Sequence, residues 1–128
     1  MESFEFLTLV DILNIHQNQL ELYGGEPGIR DINLISSALS VVEATFDKKY
    51  LHKDVFEMAA AYIFHLCQNH PFIDGNKRTA LASGLVFLDI NGIEINDPQG
   101  KLYCLVMDTA KGKLNKNDIV KVLKNLSN

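Results

Sequence analysis

The sequence has few of the residues that make linkers, disulfide frameworks or membrane spans. Three prolines and eight glycines in 128 residues leave little room for low-complexity segments. Two cysteines, Cys67 and Cys104, cannot form a disulfide framework or a four-ligand zinc site by themselves, and both lie in apolar helical patterns that predict burial. No apolar run approaches the ~18 to 20 residues of a membrane-spanning helix. We therefore expect one soluble cytoplasmic domain, residues 1–128, with no membrane contact.

The chain also lacks an excess of basic residues. Twelve lysines and arginines stand against sixteen aspartates and glutamates, which gives a formal net charge of -4 and a pI near 5.5. Non-specific binding to nucleic acid usually requires the opposite balance, although a local basic patch stays compatible with these numbers. We therefore expect no direct nucleic-acid partner.

Apolar residues recur at helical spacing along most of the chain. The predicted helices cover residues 8–23, 31–46, 53–69 and 76–90, followed by one that begins at 96–98 and one that begins at 115. Asn76 and Asn115 are predicted N-caps, and Pro71 disfavours helical geometry at His70. The pattern predicts an all-α bundle of about six helices, with a short loop between its two most buried helices.

That loop and the start of the next helix carry the polar groups that suggest chemistry. The segment from His70 to Arg78 reads His-Pro-Phe-Ile-Asp-Gly-Asn-Lys-Arg, with five polar or ionisable side chains in nine residues. Lys77 and Arg78 fall in the first helical turn, where the helix dipole favours anions and disfavours cations. Free backbone amides at a helix start, together with two cations, predict a binding site for a polyphosphate.

The remaining polar residues of the segment complete a transfer site. Asp74 could hold Mg²⁺, which takes one or two protein carboxylates and completes its shell with phosphate and water oxygens. His70 could accept the proton of an attacking hydroxyl. Each feature also has a purely structural interpretation, because a histidine can bond helix carbonyls, Asp-Gly is a common turn and Asn76 is an ordinary cap. Taken together, the groups favour transfer from a nucleotide to an alcohol.

The same residues resemble the motif of the Fic/Doc family. Its usual form is His-Pro-Phe-x-Asp/Glu-Gly-Asn-Gly-Arg-x-x-Arg, and its Doc (death-on-curing) variant ends Asn-Lys-Arg-Thr-Ala, as residues 76–80 do here. Residues 23–31 also resemble the Doc pattern. The resemblance implies an all-α Fic fold with His70 as general base, Asp74 as Mg²⁺ ligand, Asn76 in contact with phosphate, and a phosphate clamp of Lys77 and Arg78. It also implies a target-binding flap that contains Gly25, Gly28, Ile29, Arg30 and Asp31.

Two departures from the common Fic motif favour one reaction over another. Lys77 replaces the second glycine, and Leu81 stands where adenylylating members have their final arginine. A lysine fills the space that glycine leaves for phosphate and adds a charge, so the nucleotide should bind differently. The Doc resemblance implies Mg²⁺-dependent transfer of the γ-phosphate of ATP to a threonine of translation elongation factor Tu, which would arrest translation. Transfer of AMP, or a non-catalytic binding module on the same scaffold, stays open.

Control by a second protein is a further expectation. No inhibitory Ser/Thr-x-x-x-Glu-Gly/Asn helix occurs in the sequence. The resemblance implies an antitoxin partner, often the product of an adjacent gene. Lys116, Lys121 and Lys124 predict a solvated helix face that an acidic antitoxin could use. His16, His52 and His65 follow no metal-binding pattern, and we expect them to be surface or packing residues.

Overall fold

Six helices account for most of residues 3–128, which are the residues that the computed structural model describes. The helices are α1 (Leu9–Tyr23), α2 (Ile32–Glu43), α3 (Val55–Asn69), α4 (Asn76–Ile90), α5 (Lys101–Ala110) and α6 (Lys116–Leu126). A two-residue hairpin, β1 (Thr45–Phe46) and β2 (Lys49–Tyr50), follows α2. The prediction of an all-α fold is confirmed. None of the described helices is both long enough and apolar enough to cross a bilayer.

Helix α3 is the central element of the fold. It packs against α2, α4, α5 and α6, and eight of its fifteen residues are buried. Its closest neighbour is α4, whose Gly84 faces Ile63 so tightly that a Cβ on the glycine would lie 2.5 Å from Cγ1 of Ile63. A glycine at this position therefore allows the two helices that flank the motif loop to approach each other closely.

Capping side chains define several helix ends. Thr8 and Asp11 form a reciprocal capping box at the start of α1, which ends at Gly24 with φ 79°. Asn115 and Asp118 form a second box at the start of α6. Each pair satisfies two backbone amides that would otherwise lack partners, so the helix starts predicted from local sequence are confirmed at both places.

Two predicted helix boundaries were wrong. Helix α2 ends at Glu43 rather than at residue 46, because the chain turns back into the hairpin through Asp47 and Lys48, with φ of 51° and 64°. Positive φ at both central residues is the geometry of a tight hairpin turn, which the Asp-Lys pair does not signal as Asp-Gly would. Helix α5 begins at Lys101 rather than at 96–98. The side chain of Asp97 lies outside the helix, where it accepts hydrogen bonds from the amides of Lys101 and Leu102.

Two predictions for single residues also failed. The N-cap of α4 is Gly75, in left-handed geometry, and Asn76 is the first helical residue. Cys104 is exposed on α5, whereas Cys67 is buried as expected. An outward position on an amphipathic helix can carry a cysteine as readily as an inward one, so composition alone did not distinguish them. Between α4 and α5, Ile95 forms a single antiparallel bridge with Ser127.

Candidate active site

The motif loop begins where α3 ends in a left-handed residue. His70 has φ 48° and ψ 58°, and Pro71 after it is buried. The guanidinium of Arg30 donates hydrogen bonds to the last carbonyls of the helix, at 2.7 Å to Asn69 and 2.6 Å to His70. The carbonyls at a helix C-terminus need such donors. Arg30, predicted only as part of the flap, therefore holds the backbone that carries the exposed His70 side chain.

Asn76 fastens the interior of the loop to α4. Its side-chain Oδ1 accepts from the amide of Phe72 at 2.9 Å, and its Nδ2 donates to the carbonyl of Phe72 at 3.0 Å. The Phe72 ring is 2% exposed. This reciprocal pair fixes the loop between its buried aromatic anchor and the first turn of α4. The contact of Asn76 with phosphate stays a prediction.

Asp74 is exposed, and backbone amides hold its carboxylate in place. Oδ1 accepts from the amide of Gly75 at 2.8 Å and Oδ2 from the amide of Glu26 at 3.0 Å. The hydrogen bond from Glu26 is the largest cause that lowers the pKa of Asp74, followed by the bond from Gly75. The positive charge of Arg78 lowers the pKa further. The carboxylate is thus kept charged and oriented, as a Mg²⁺ ligand must be.

The residues present suit Mg²⁺ better than a transition metal. No group of three or more His, Cys, Asp or Glu side chains converges among residues 3–128. One charged carboxylate beside cationic side chains matches an ion that obtains its other ligands from phosphate and water. The site could therefore hold Mg²⁺ as a complex with a nucleotide, with Asp74 as its protein ligand.

Lys77 and Arg78 occupy the first turn of α4, as predicted. Within the described residues neither forms an ion pair with a carboxylate. Arg78 instead donates through Nη2 to the carbonyl of Gly24 at 2.9 Å and lies 5.4 Å from the ring centroid of Tyr23. Lys77 is exposed, and the helix N-cap, a glycine, has no side chain to bind the leading amides. The helix start therefore offers charge and free donors to an anion.

The predicted flap runs alongside the motif loop. Gly28 accepts from the amide of Ile73 at 3.0 Å, and the amides of Arg30 and Asp31 both donate to Pro71, at 2.7 and 3.0 Å. Gly28 has φ 129°, and a Cβ there would lie 2.9 Å from Ile73 Cγ1, so the close pairing needs a glycine.

Asp31 caps α2, where its side chain accepts from the amide of Asn33 at 2.9 Å. Ile29 pairs with Phe72 in an antiparallel bridge and keeps its side chain 44% exposed. Gly25, with φ 130°, lies against the Asp74 carboxylate, which would be 3.0 Å from a Cβ at this position. The five predicted flap residues therefore lie together, and their contact with a target stays a prediction.

A cleft of about 760 Å³ joins these groups. Its lining includes the polar residues His70, Asp74, Asn76, Lys77 and Arg78. The lining continues with mainly apolar side chains of α4 and α5: Leu81, Leu85, Tyr103, Val106 and Met107. A cleft with an apolar wall and a few convergent polar groups is typical of a small-molecule site, and its size suits a nucleotide.

Comparison with known proteins identifies this arrangement. The profile of the Fic/DOC family matches residues 6–88, which extend from just before α1 through the flap and motif loop into α4. The chain belongs to the Fic/DOC family. It is 31% identical over 116 residues to the protein kinase doc of Escherichia phage P1, covering 91% of this chain and 90% of that protein. It is also 38% identical over 73 residues to toxin Doc of Mycolicibacterium smegmatis, covering 57% of this chain and 56% of that protein.

One residue of this Fic/DOC site was missed at the sequence level. His16 of α1 is buried, its Nε2 lies 2.8 Å from the carbonyl oxygen of Asp74, and its ring stacks on Phe72 at 3.7 Å between centroids. The available signal was its position on the apolar stripe of α1, four residues after Ile12 and four before Leu20. A polar residue at an inward position needs a partner, but the sequence does not name it.

A second cluster lies apart from the cleft. Lys116 Nζ is 3.2 Å from Nε2 of His52 and 3.1 Å from Nε2 of His65, and it is partly buried. Burial lowers its pKa. The prediction that Lys116 belongs to a solvated face was therefore wrong, whereas Lys121 and Lys124 are exposed. His52 and His65 are packing residues, as expected.

Proposed function

We propose that this chain is a Doc-type toxin that transfers the γ-phosphate of ATP to a threonine or serine hydroxyl of a protein. The convergence of His70, Asp74, Lys77 and Arg78 on one cleft carries the proposal. The relative named a protein kinase, which the chain matches over 91% of its length, supports phosphoryl transfer as the reaction. Lys77, at the position of the second motif glycine, supports the same choice because its ammonium can meet a phosphate where AMP-transferring members leave space.

The chain's own residues would perform the reaction as follows. Lys77, Arg78 and the leading amides of α4 bind the phosphates. Asp74 would hold Mg²⁺, which would supply positive charge to offset the negative charge of the phosphates. His70 accepts the proton as the target hydroxyl oxygen bonds to the γ-phosphorus. The bond from that phosphorus to its bridging oxygen breaks, and ADP leaves with the electron pair. Positioning and charge stabilisation supply most of the acceleration in such transfers.

The proposed target is a threonine of translation elongation factor Tu, with arrest of translation as the consequence. Ile29 of the flap and Ile73 of the motif loop are both exposed and could hold an extended target segment beside His70. The proposed location is the cytoplasm, where this factor and ATP are found. The proposed regulator is an antitoxin from an adjacent gene. The relative named toxin Doc supports a toxin with such a partner.

Intact-mass analysis of elongation factor Tu tests the proposal. The factor is incubated with this protein, Mg²⁺ and ATP, beside a His70→Ala variant as control. We expect a gain of one phosphoryl group that requires His70. A gain of one AMP would instead establish adenylyl transfer, and no gain on this factor would remove it as the target.

The Lys77→Gly variant tests the clamp separately. We expect it to lose phosphorylation while its helical circular dichroism stays unchanged, because a glycine removes the ammonium without disturbing the loop bonds of Phe72. Unchanged phosphorylation would contradict a phosphate role for Lys77. Absence of MgATP binding by calorimetry in the wild-type protein would support a non-catalytic scaffold.

A further inference from the structure

We propose that His16 is a positioning residue that orients the Asp74 carboxylate through the peptide bond between Asp74 and Gly75. The proposal rests on the proposed function insofar as Asp74 serves MgATP. It also makes a claim about the unliganded protein that holds independently of any nucleotide. The family motif, residues 70–78, does not include this position.

The Asp74–Gly75 peptide is held at both of its polar ends. Its carbonyl accepts from Nε2 of His16 at 2.8 Å, and its amide donates to Oδ1 of Asp74 itself at 2.8 Å. A carbonyl can only accept, so His16 must carry a proton on Nε2. The bond from His16 therefore fixes the peptide plane, and the plane directs the amide that holds one carboxylate oxygen.

The other carboxylate oxygen of Asp74 accepts a hydrogen bond from the flap. With Oδ1 held by Gly75, Oδ2 accepts from the amide of Glu26 at 3.0 Å. Gly75 has φ 77°, a left-handed conformation in which glycine has neighbouring wells open to it. Without the bond from His16, this peptide could rotate and carry the carboxylate away from both amides. The orientation of Asp74 thus depends on a side chain fifty-eight residues earlier in the chain.

The ring of His16 restrains the same loop at a second point. It lies 3.7 Å from the Phe72 ring with an interplanar angle of 6°, which is close parallel stacking. Phe72 is bonded in turn to the side chain of Asn76. The imidazole of His16 therefore contacts the motif loop at two residues, the buried Phe72 and the proposed Mg²⁺ ligand Asp74. A phenylalanine at position 16 could keep the first contact but not the second.

Three variants separate these contributions. His16→Phe keeps an aromatic ring for the stack and removes the donor, while His16→Gln keeps an amide donor at similar reach and removes the ring. Asn18→Ala, at an exposed position of the same helix, is the control. Hydrogen exchange of the Gly75 and Glu26 amides in the unliganded protein is compared with that of α3 amides, and calorimetry gives MgATP affinity.

We expect His16→Phe to speed exchange at Gly75 and Glu26 on the order of tenfold, the equivalent of one hydrogen bond of about 1.4 kcal/mol. The α3 amides should change less, MgATP affinity should fall, and His16→Gln should restore both readouts. A transfer assay should place the loss in KM for MgATP rather than in kcat, since His70 is unchanged.

Two results would overturn the proposal. Exchange at Gly75 and Glu26 that matches the wild type in His16→Phe would remove the positioning role. Equal acceleration at all amides with no rescue by His16→Gln would make His16 a packing residue only. Failure of the wild-type protein to bind MgATP would contradict the proposed function, whereas the exchange comparison would still decide the role of His16.

Discussion

The cluster of Lys116, His52 and His65 should make the stability of the protein depend on pH. An ammonium can only donate, so both imidazole Nε2 atoms must accept and must carry no proton. Protonation of either ring would place a second cation about 3 Å from Nζ, where it could no longer accept a hydrogen bond. The three residues come from the segment after β2, from α3 and from the start of α6, so the cluster joins separate parts of the fold.

Burial, followed by the charge of Lys116 and then by His52, lowers the pKa of His65 from 6.5 to about 4. Burial and Lys116 lower the pKa of His52 as well, while the Glu57 carboxylate opposes them. As pH falls, these histidines therefore bind protons at a higher pH in the unfolded chain than in the folded protein. The stability contributed by these rings is complete above pH 6.5 and is lost as pH falls from 6.5 towards 4.

The size of the effect follows from the two pKa values of His65. The gap between 6.5 and about 4 corresponds to roughly 3 kcal/mol at 1.36 kcal/mol per pH unit. Solvent still reaches part of the ring, which weakens the effective interaction with Lys116. We therefore expect a loss of about 1–2 kcal/mol from His65 between neutral pH and about pH 4.5.

Urea denaturation at about pH 7.5 and about pH 4.5 measures this loss in the wild type and in His65→Gln. Glutamine keeps an acceptor for Lys116 but does not titrate, so the variant should lose about 1–2 kcal/mol less on acidification. Carboxylates with lowered pKa, such as Asp74, are common to both proteins and cancel in the comparison. His70→Gln removes an exposed histidine as control. Equal losses in the wild type and His65→Gln would refute the reasoning.

Substitutions at three further positions test the packing and the loop by urea denaturation. Gly84→Ala should destabilise the protein by about 1–3 kcal/mol, because the new Cβ overlaps Ile63, and an unchanged midpoint would contradict that close approach. Arg30→Met should cost about 1–3 kcal/mol by removing two charge-assisted bonds, and Arg30→Lys should recover part of it. Asn76→Ala should cost about 1–3 kcal/mol through both lost bonds to Phe72, and wild-type stability would show that water replaces them.

Local signals explain why much of the fold could be predicted. A capping box needs residues three apart, and an apolar stripe needs residues three or four apart, so both can be read directly from the sequence. The break at His70 followed from its neighbour Pro71. The hairpin after α2 was missed because Asp47 and Lys48 adopt positive φ without the glycine that usually announces it.

The sequence by itself determined the six helical segments, the position of the motif loop and the chemical groups that the loop carries. Only the tertiary structure decided which partners those groups meet. Arg30 binds carbonyls about forty residues away, His16 binds a carbonyl fifty-eight residues away, and Lys116 binds a histidine sixty-four residues away. Such pairs leave no local trace, because the packing of helices, rather than the spacing of residues along one helix, brings a donor to its acceptor.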